Sequence, residues 1–310
     1  MSEQQLANQE LKPTSNNLKT ILFMVVLSFT CALILSILAS ALANPKQVAR
    51  NLDRSKQMMI AAKILDHNGH FIIENDEGKI VPAKYQNGEL VPGNVNDMAT
   101  NQQLLDIYEK RLIPLLVDNK GELKTFEEAK IDFAQYMEEY RKNGYYLAPY
   151  KLIYKINPNK KEITKEDKPT GYVIPVNGLG LWDAIYGYLA IKPDGDTVIG
   201  TTWYDQKETP GLGANISEAY WQNYFPGKKI FQENASGQTN YKSAPVGIIV
   251  VKGKVDEVLG NSPKAKSAVD GMAGATLTGN GVTDAYKNVL SAYRPFLIKI
   301  NQENKAGDKE

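Results

Sequence analysis

The stretch ILFMVVLSFTCALILSILASALA, Ile21 to Ala43, contains no charged residue. Coiled as a helix it reaches about 34 Å at ~1.5 Å per residue, enough to cross the hydrocarbon core of a bilayer. A helix inside a soluble domain seldom stays uncharged all round for that length, so the segment reads as a transmembrane helix. Ala41-Leu42-Ala43 fits a small-x-small cleavage site, but the apolar run exceeds the roughly 7–15 residues of a signal-peptide core. The expectation is a retained anchor, preceded by a short polar tail over 1–20. Cys31 becomes a packing residue at lipid depth.

Orientation is ambiguous at this level. Lys12 and Lys19 precede the anchor, whereas Lys46, Arg50, Arg54, Lys56 and Lys63 follow it. The positive-inside bias thus places the large C-terminal part in the cytoplasm, although long domains translocate largely regardless of such charges.

Composition removes several functions. With 36 basic and 35 acidic residues the formal charge is +1, so no global field recruits nucleic acid. A single cysteine excludes an intrachain disulfide and any multi-cysteine metal or iron–sulfur site. The two histidines, His67 and His70, share the turn-like HNGH and read as a solvated loop. A catalytic Ser-His-Asp triad would have to use one of them.

Beyond the anchor, residues 44–170 read as a juxtamembrane helix from Pro45 to Leu65, small hairpins, and helices over Asn101–Val117 and Thr125–Lys142. The run Ile156 to Pro169 is a charged, proline-bounded seam. From Gly171 onward β-branched and aromatic residues alternate with turns. Strands are expected near 171–175, 184–192 and 196–205, with another ending near Lys252. A helix from about Asn280 presents Val282, Ala285, Tyr286, Val289 and Tyr293 on one face. The expected fold is α+β: a single N-terminal transmembrane helix, then an antiparallel-sheet domain over 171–300 with flanking helices, then a polar tail over 301–310.

Three glycine-rich clusters carry the chemistry. In DGMAGATLTGNGV, Thr276 and Thr278 precede a helix, where unpaired N–H groups and the macrodipole favour an anion such as phosphate. The same residues also suit ordinary capping, with Thr278 or Asn280 as the N-cap. KETPGLGAN offers Glu208 and Thr209 before a tight turn whose backbone can lie against a planar ring or simply close a hairpin. NGLGLWDAIYG places Leu181 and Trp182 between glycines. No complete GxGxxG or GxxxxGK[ST] is present.

DGMAGATLT resembles the D-x-x-S/T-G-A-T flavinylation motif, whose last threonine carries FMN through a phosphoester. Together with NGLGLWDAIYGYLAI, ETPGLG, WQNYFPGKKIF and ATLTGNGV behind a membrane span, it resembles the NqrC family, the flavin-bearing C-type component of the sodium-translocating NADH:quinone reductase. The likeness covers the anchor and most of 171–295. Ala273 stands where the motif has Ser or Thr, and the loop from Lys252 to Asp270 looks long for the family. The resemblance implies covalent FMN on Thr276, with Asp270, Gly274 and Ala275 completing the motif. It also implies cofactor contacts from Leu181, Trp182, Glu208, Thr209, Gly211, Leu212, Gly213, Lys252 and Thr278. The implied role is electron relay in a membrane complex that oxidises NADH, reduces ubiquinone and pumps sodium. The implied partners are the other subunits, a flavin transferase using FAD, and membrane lipid; the implied location is the inner membrane, with the bulk of the chain periplasmic. Two other readings stay open: the flavin subunit of the related ferredoxin:NAD oxidoreductase complex, and a membrane-anchored module without a cofactor.

Overall fold

A computed structural model describes residues 15–75, 77–143 and 146–307. The chain divides into two units, Met1–Asn51 and Leu52–Glu310. Within the first, Asn17–Ala43 is long and apolar enough to cross a membrane, with mean hydropathy 2.8. Its apolar side chains, from Ile21 to Leu42, are exposed. The helix that contains it, α1, runs from Ser15 to Ala61. The separate helix expected to begin at Pro45 is instead the continuation of α1, because strong helix formers flank Pro45 and no glycine interrupts them. Residues 15–20, expected as tail, are helical too; the expectation for 1–14 lies outside the described residues.

The second unit is built on one six-stranded antiparallel sheet, ordered β5-β4-β6-β7-β8-β9. Its strands are β4 (Leu112–Val117), β5 (Leu123–Lys124), β6 (Lys151–Ile156), β7 (Gly171–Leu179), β8 (Ala184–Ile191) and β9 (Val198–Asp205). A smaller three-stranded sheet precedes it: β1 (Phe71–Glu74), β2 (Ile80–Gln86) and β3 (Glu89–Pro92). Before it, the HNGH turn is closed by Asp66, whose carboxylate lies 3.1 Å from His70 Nδ1. The helices are α2 (Asn101–Arg111), α3 (Phe133–Asn143), the one-turn α4 (Ala219–Gln222) and α5 (Val255–Val258), and the long α6 (Thr276–Gly307). A two-residue pair, β10 (Ile249–Val250) and β11 (Ala268–Val269), is parallel, because the chain crosses over through α5 between its strands.

Four further expectations change. The apolar IPLLV after Ile107 is expected as helix, but α2 ends at Arg111 and the run is β4, since a short apolar run suits either state. Between β5 and α3, residues 125–131 form turns, so the second expected helix begins later. At the C-terminus, residues 301–307 continue α6 where a tail is expected; Asn301 is buried and donates to the Asp194 carbonyl at 2.7 Å. The seam placed at 170/171 falls between β6 and β7, which pair in the same sheet.

Both faces of the large sheet are covered. Alternation along β7 sends Tyr172, Ile174 and Val176 into one core with α6, and Val173 into the other with Met59, Ile64 and Ile107. The expected face of α6 (Val282, Ala285, Tyr286, Val289, Tyr293) is buried throughout. Gly281 allows the helix to touch the sheet, because a Cβ there would meet the Leu179 carbonyl oxygen at 2.1 Å. Tyr286 fixes its rotation: its hydroxyl is 2.7 Å from Thr201 Oγ1 and accepts from Trp203 Nε1 at 3.1 Å.

Tyr286→Phe strips the Trp203 indole of its acceptor inside a dry core. The substitution is expected to cost about 1–3 kcal/mol, seen as a lower Tm of the detergent-solubilised full chain; an unchanged Tm refutes the pairing.

Candidate functional site

The DGMAGAT segment runs from β11 into α6 and is held from both sides. The Asp270 carboxylate accepts from the Val255 amide at 2.8 Å, and its carbonyl accepts from Trp221 Nε1 at 3.0 Å. Gly274 turns the chain with φ +72°, after which α6 starts at Thr276. The helix therefore begins earlier than the sequence suggests, and Thr278 and Asn280 lie inside it rather than capping it. Thr276, Leu277 and Thr278 fill its first turn, where amide N–H groups have no intrahelical partner. Thr276 is exposed, and so is Lys252.

Thr276 opens on a cleft of about 540 Å³, whose wall includes Tyr224, Lys252, Asp270, Gly274 and Ala275. The second group of expected residues is not part of this wall. Trp182 and Leu181 are 68% and 48% exposed, and Leu212 and Leu277 are 41% and 60% exposed. These four large apolar side chains are exposed, and Leu277 follows Thr276 directly in the first turn of α6. Trp182 Nε1 donates to Thr209 Oγ1 at 3.1 Å. Leu212 links the two groups, since a Cβ on Gly274 would lie 2.9 Å from its Cδ2.

Glu208 lies beneath this face and is only 5% exposed. One carboxylate oxygen accepts from the Trp182 amide at 3.0 Å and the other from the Leu181 amide at 3.0 Å. The Thr278 hydroxyl, also buried, donates to the second oxygen. Gly213 completes the seat, as a Cβ there would come within 2.4 Å of Thr278 Oγ1. Burial raises the Glu208 pKa, but the hydrogen bonds from Thr278 and from the backbone of Trp182, Leu181 and Asp183 outweigh it and hold the carboxyl below the usual glutamate range.

The structure thus brings together Leu181, Trp182, Glu208, Thr209, Leu212, Gly213, Gly274 and Thr278, and sets Lys252 on the cleft wall with Thr276, Asp270 and Ala275. Gly211 is exposed at φ +74° with open space about it. Three residues of the site, Trp221, Tyr224 and Leu277, escape the sequence reading. Trp221 and Tyr224 sit in WQNYF, an aromatic-dense segment, and Leu277 is an apolar side chain between two threonines at a helix start.

A depressed folded pKa means that the carboxylate stabilises in full above its unfolded value and loses that contribution as pH falls through the folded one. Acidification is expected to loosen the Leu181–Trp182 loop only below the ordinary glutamate range. The check is a step in Trp182 emission, taken as the difference from Trp182→Phe, that is absent in Glu208→Gln.

The FMN-binding domain family matches residues 180–291. The chain is 39% identical to the Na(+)-translocating NADH-quinone reductase C-type subunit of Chlamydia caviae, covering 98% of this chain and 100% of that one. The same subunit of Pasteurella multocida is 32% identical, over 91% of this chain and 93% of its own. Among solved structures, the corresponding subunit from Parabacteroides distasonis shares the fold with a TM-score of 0.51 at 24% identity, covering 83% of this chain and 96% of that one.

Proposed function

Because the chain belongs to the NqrC family of Na(+)-translocating NADH-quinone reductase subunits and carries an FMN-binding domain, we propose that it is the electron-relaying subunit of such a complex, holding FMN covalently on Thr276 through a phosphoester. The observation that carries this reading is Thr276 itself: an exposed hydroxyl at the first position of a long helix, at the end of a D-x-x-x-G-A-T segment, on the wall of a cleft. The residues fit the group. The N-terminal N–H groups of α6 and the Lys252 ammonium suit an anionic phosphoester. The exposed side chains of Leu181, Trp182 and Leu212 suit a planar ring. Thr209, Gly211 and Gly213 shape the turn beside them, and Asp270 holds the attachment loop through Val255 and Trp221.

FMN, when bound, supplies the redox chemistry; the protein orients it, shields one face from water and tunes its potential. No side chain is required as acid, base or nucleophile in turnover. The cofactor is delivered by a flavin transferase from FAD, and the other subunits of the complex supply and accept electrons as NADH is oxidised, ubiquinone reduced and sodium moved. The apolar helix anchors the chain in lipid of the inner membrane with the flavin domain on the periplasmic side. That placement runs against the charge count around the anchor, and a long translocated domain overrides that count.

Mass spectrometry of the tryptic peptide containing Thr276, from a host with flavin transferase, is expected to show the FMN increment, and Thr276→Ala to lose both it and the fluorescent band on a denaturing gel. An unmodified wild-type peptide overturns the reading. For topology, alkaline phosphatase fused to the C-terminus is expected to be active in intact cells, and an inactive fusion places the domain in the cytoplasm.

A further inference from the structure

We propose that Glu208 is a positioning residue: its buried carboxylate locks the Leu181–Trp182 loop, the ETPGLG turn and the first turn of α6 into one preformed seat, and does so without touching the flavin. The inference rests on the reading above, in which that seat receives the ring. Both carboxylate oxygens are already engaged, one by the Trp182 amide and the other by the Leu181 amide and the Thr278 hydroxyl. With Glu208 5% exposed and Thr278 1% exposed, neither polar group faces the open surface. Its own amide is also used, donating to Gln206 Oε1 at 2.6 Å.

Thr278 lies in the first turn of α6, where no preceding helical turn offers its hydroxyl a carbonyl. Threonine hydroxyls deeper in a helix commonly bond back to a carbonyl of the preceding turn, as Thr283 does to the Gly279 carbonyl at 3.0 Å. Thr278 instead reaches across to another segment of the chain. The attachment residue and the ring-side loop are therefore joined through one carboxylate, two positions along α6 from Thr276. The ion pair of Asp183 with Lys207 beside this loop is exposed and lies outside the lock.

The chemistry demands a carboxylate and not merely a polar side chain. Two main-chain N–H groups point at two different oxygens, so both must accept. Glu208→Gln turns one of those oxygens into an N–H₂ group facing another N–H, whichever way the amide is flipped. Charge-assisted hydrogen bonds of this kind are stronger than neutral ones.

The test uses the full-length protein in detergent and compares wild type with Glu208→Gln, Thr278→Val and Thr278→Ser. Two readouts are taken: amide hydrogen exchange at Leu181 and Trp182, and iodide quenching of the bound flavin. Glu208→Gln is expected to speed exchange at these two amides by about tenfold or more and to raise flavin quenching. Thr278→Val should shift both readouts in the same direction by less, and Thr278→Ser should restore them. Wild-type exchange rates in Glu208→Gln, or no rescue by serine, overturn the proposal. The exchange readout needs no flavin, so it decides the lock even where the wild-type Thr276 peptide proves unmodified, an outcome that sinks the functional reading separately.

Discussion

At Gly281 the last helix lies so close to the sheet that a single added carbon would strike the Leu179 carbonyl oxygen at 2.1 Å. That approach sets how far the start of α6 stands from the end of β7, and the rest of the site inherits the spacing. Tyr286 then prevents the helix from rolling, because its fully buried hydroxyl serves both Thr201 and the Trp203 indole. Farther along, the Tyr293 hydroxyl donates to the Leu152 carbonyl. With the helix fixed in depth and rotation, Thr276 has little choice of position. A cofactor tethered there would inherit the rigidity of the core and not the latitude of a loop.

The division of labour among side chains follows from burial. Groups that could make polar contacts to a ligand, Glu208 and Thr278, are spent inside the protein. Those left facing outward include the apolar Leu181, Trp182, Leu212 and Leu277, the Lys252 ammonium, and the hydroxyls of Thr209 and Thr276. In the proposed reading, such a surface would meet a planar ring by area and an anion by charge.

Much of this is legible in the residues. The face of α6 can be read because five apolar positions repeat at helical spacing, and each is buried. The glycine clusters can be read because small residues rarely accumulate without a close approach, and the approach is present at Gly213 and Gly281. Other features are hidden for physical reasons. LIPLLV and KLIYKI lie in a sheet covered on both faces, so they lack the alternation that signals a strand. The true start of α6 is obscured because Gly279 and Gly281 look like helix breakers, yet serve as contact points against Val250 and Leu179. Glu208 is legible as a residue of the site, but its inward role depends on three segments distant in sequence and has no local signature.

The parallel pair β10 and β11 separates the Asp270–Ala275 loop from the lobe that precedes it. Val250 lies beside Val269, the Val251 amide donates to the Val269 carbonyl at 3.0 Å, and the Gly271 amide donates to the Gly253 carbonyl at 2.8 Å. The excursion between these strands also keeps a miniature core of Val251, Val255 and Ala268. A loop cinched at its neck in this way can lengthen or shorten at its far end at little entropic cost, while Asp270 and the turn that follows stay put. The return limb of the lobe is tied as well, since the Lys266 carbonyl accepts from the Lys229 amide at 2.9 Å and the Lys266 ammonium pairs with Glu233, so the latitude in length lies between Val258 and Ser262.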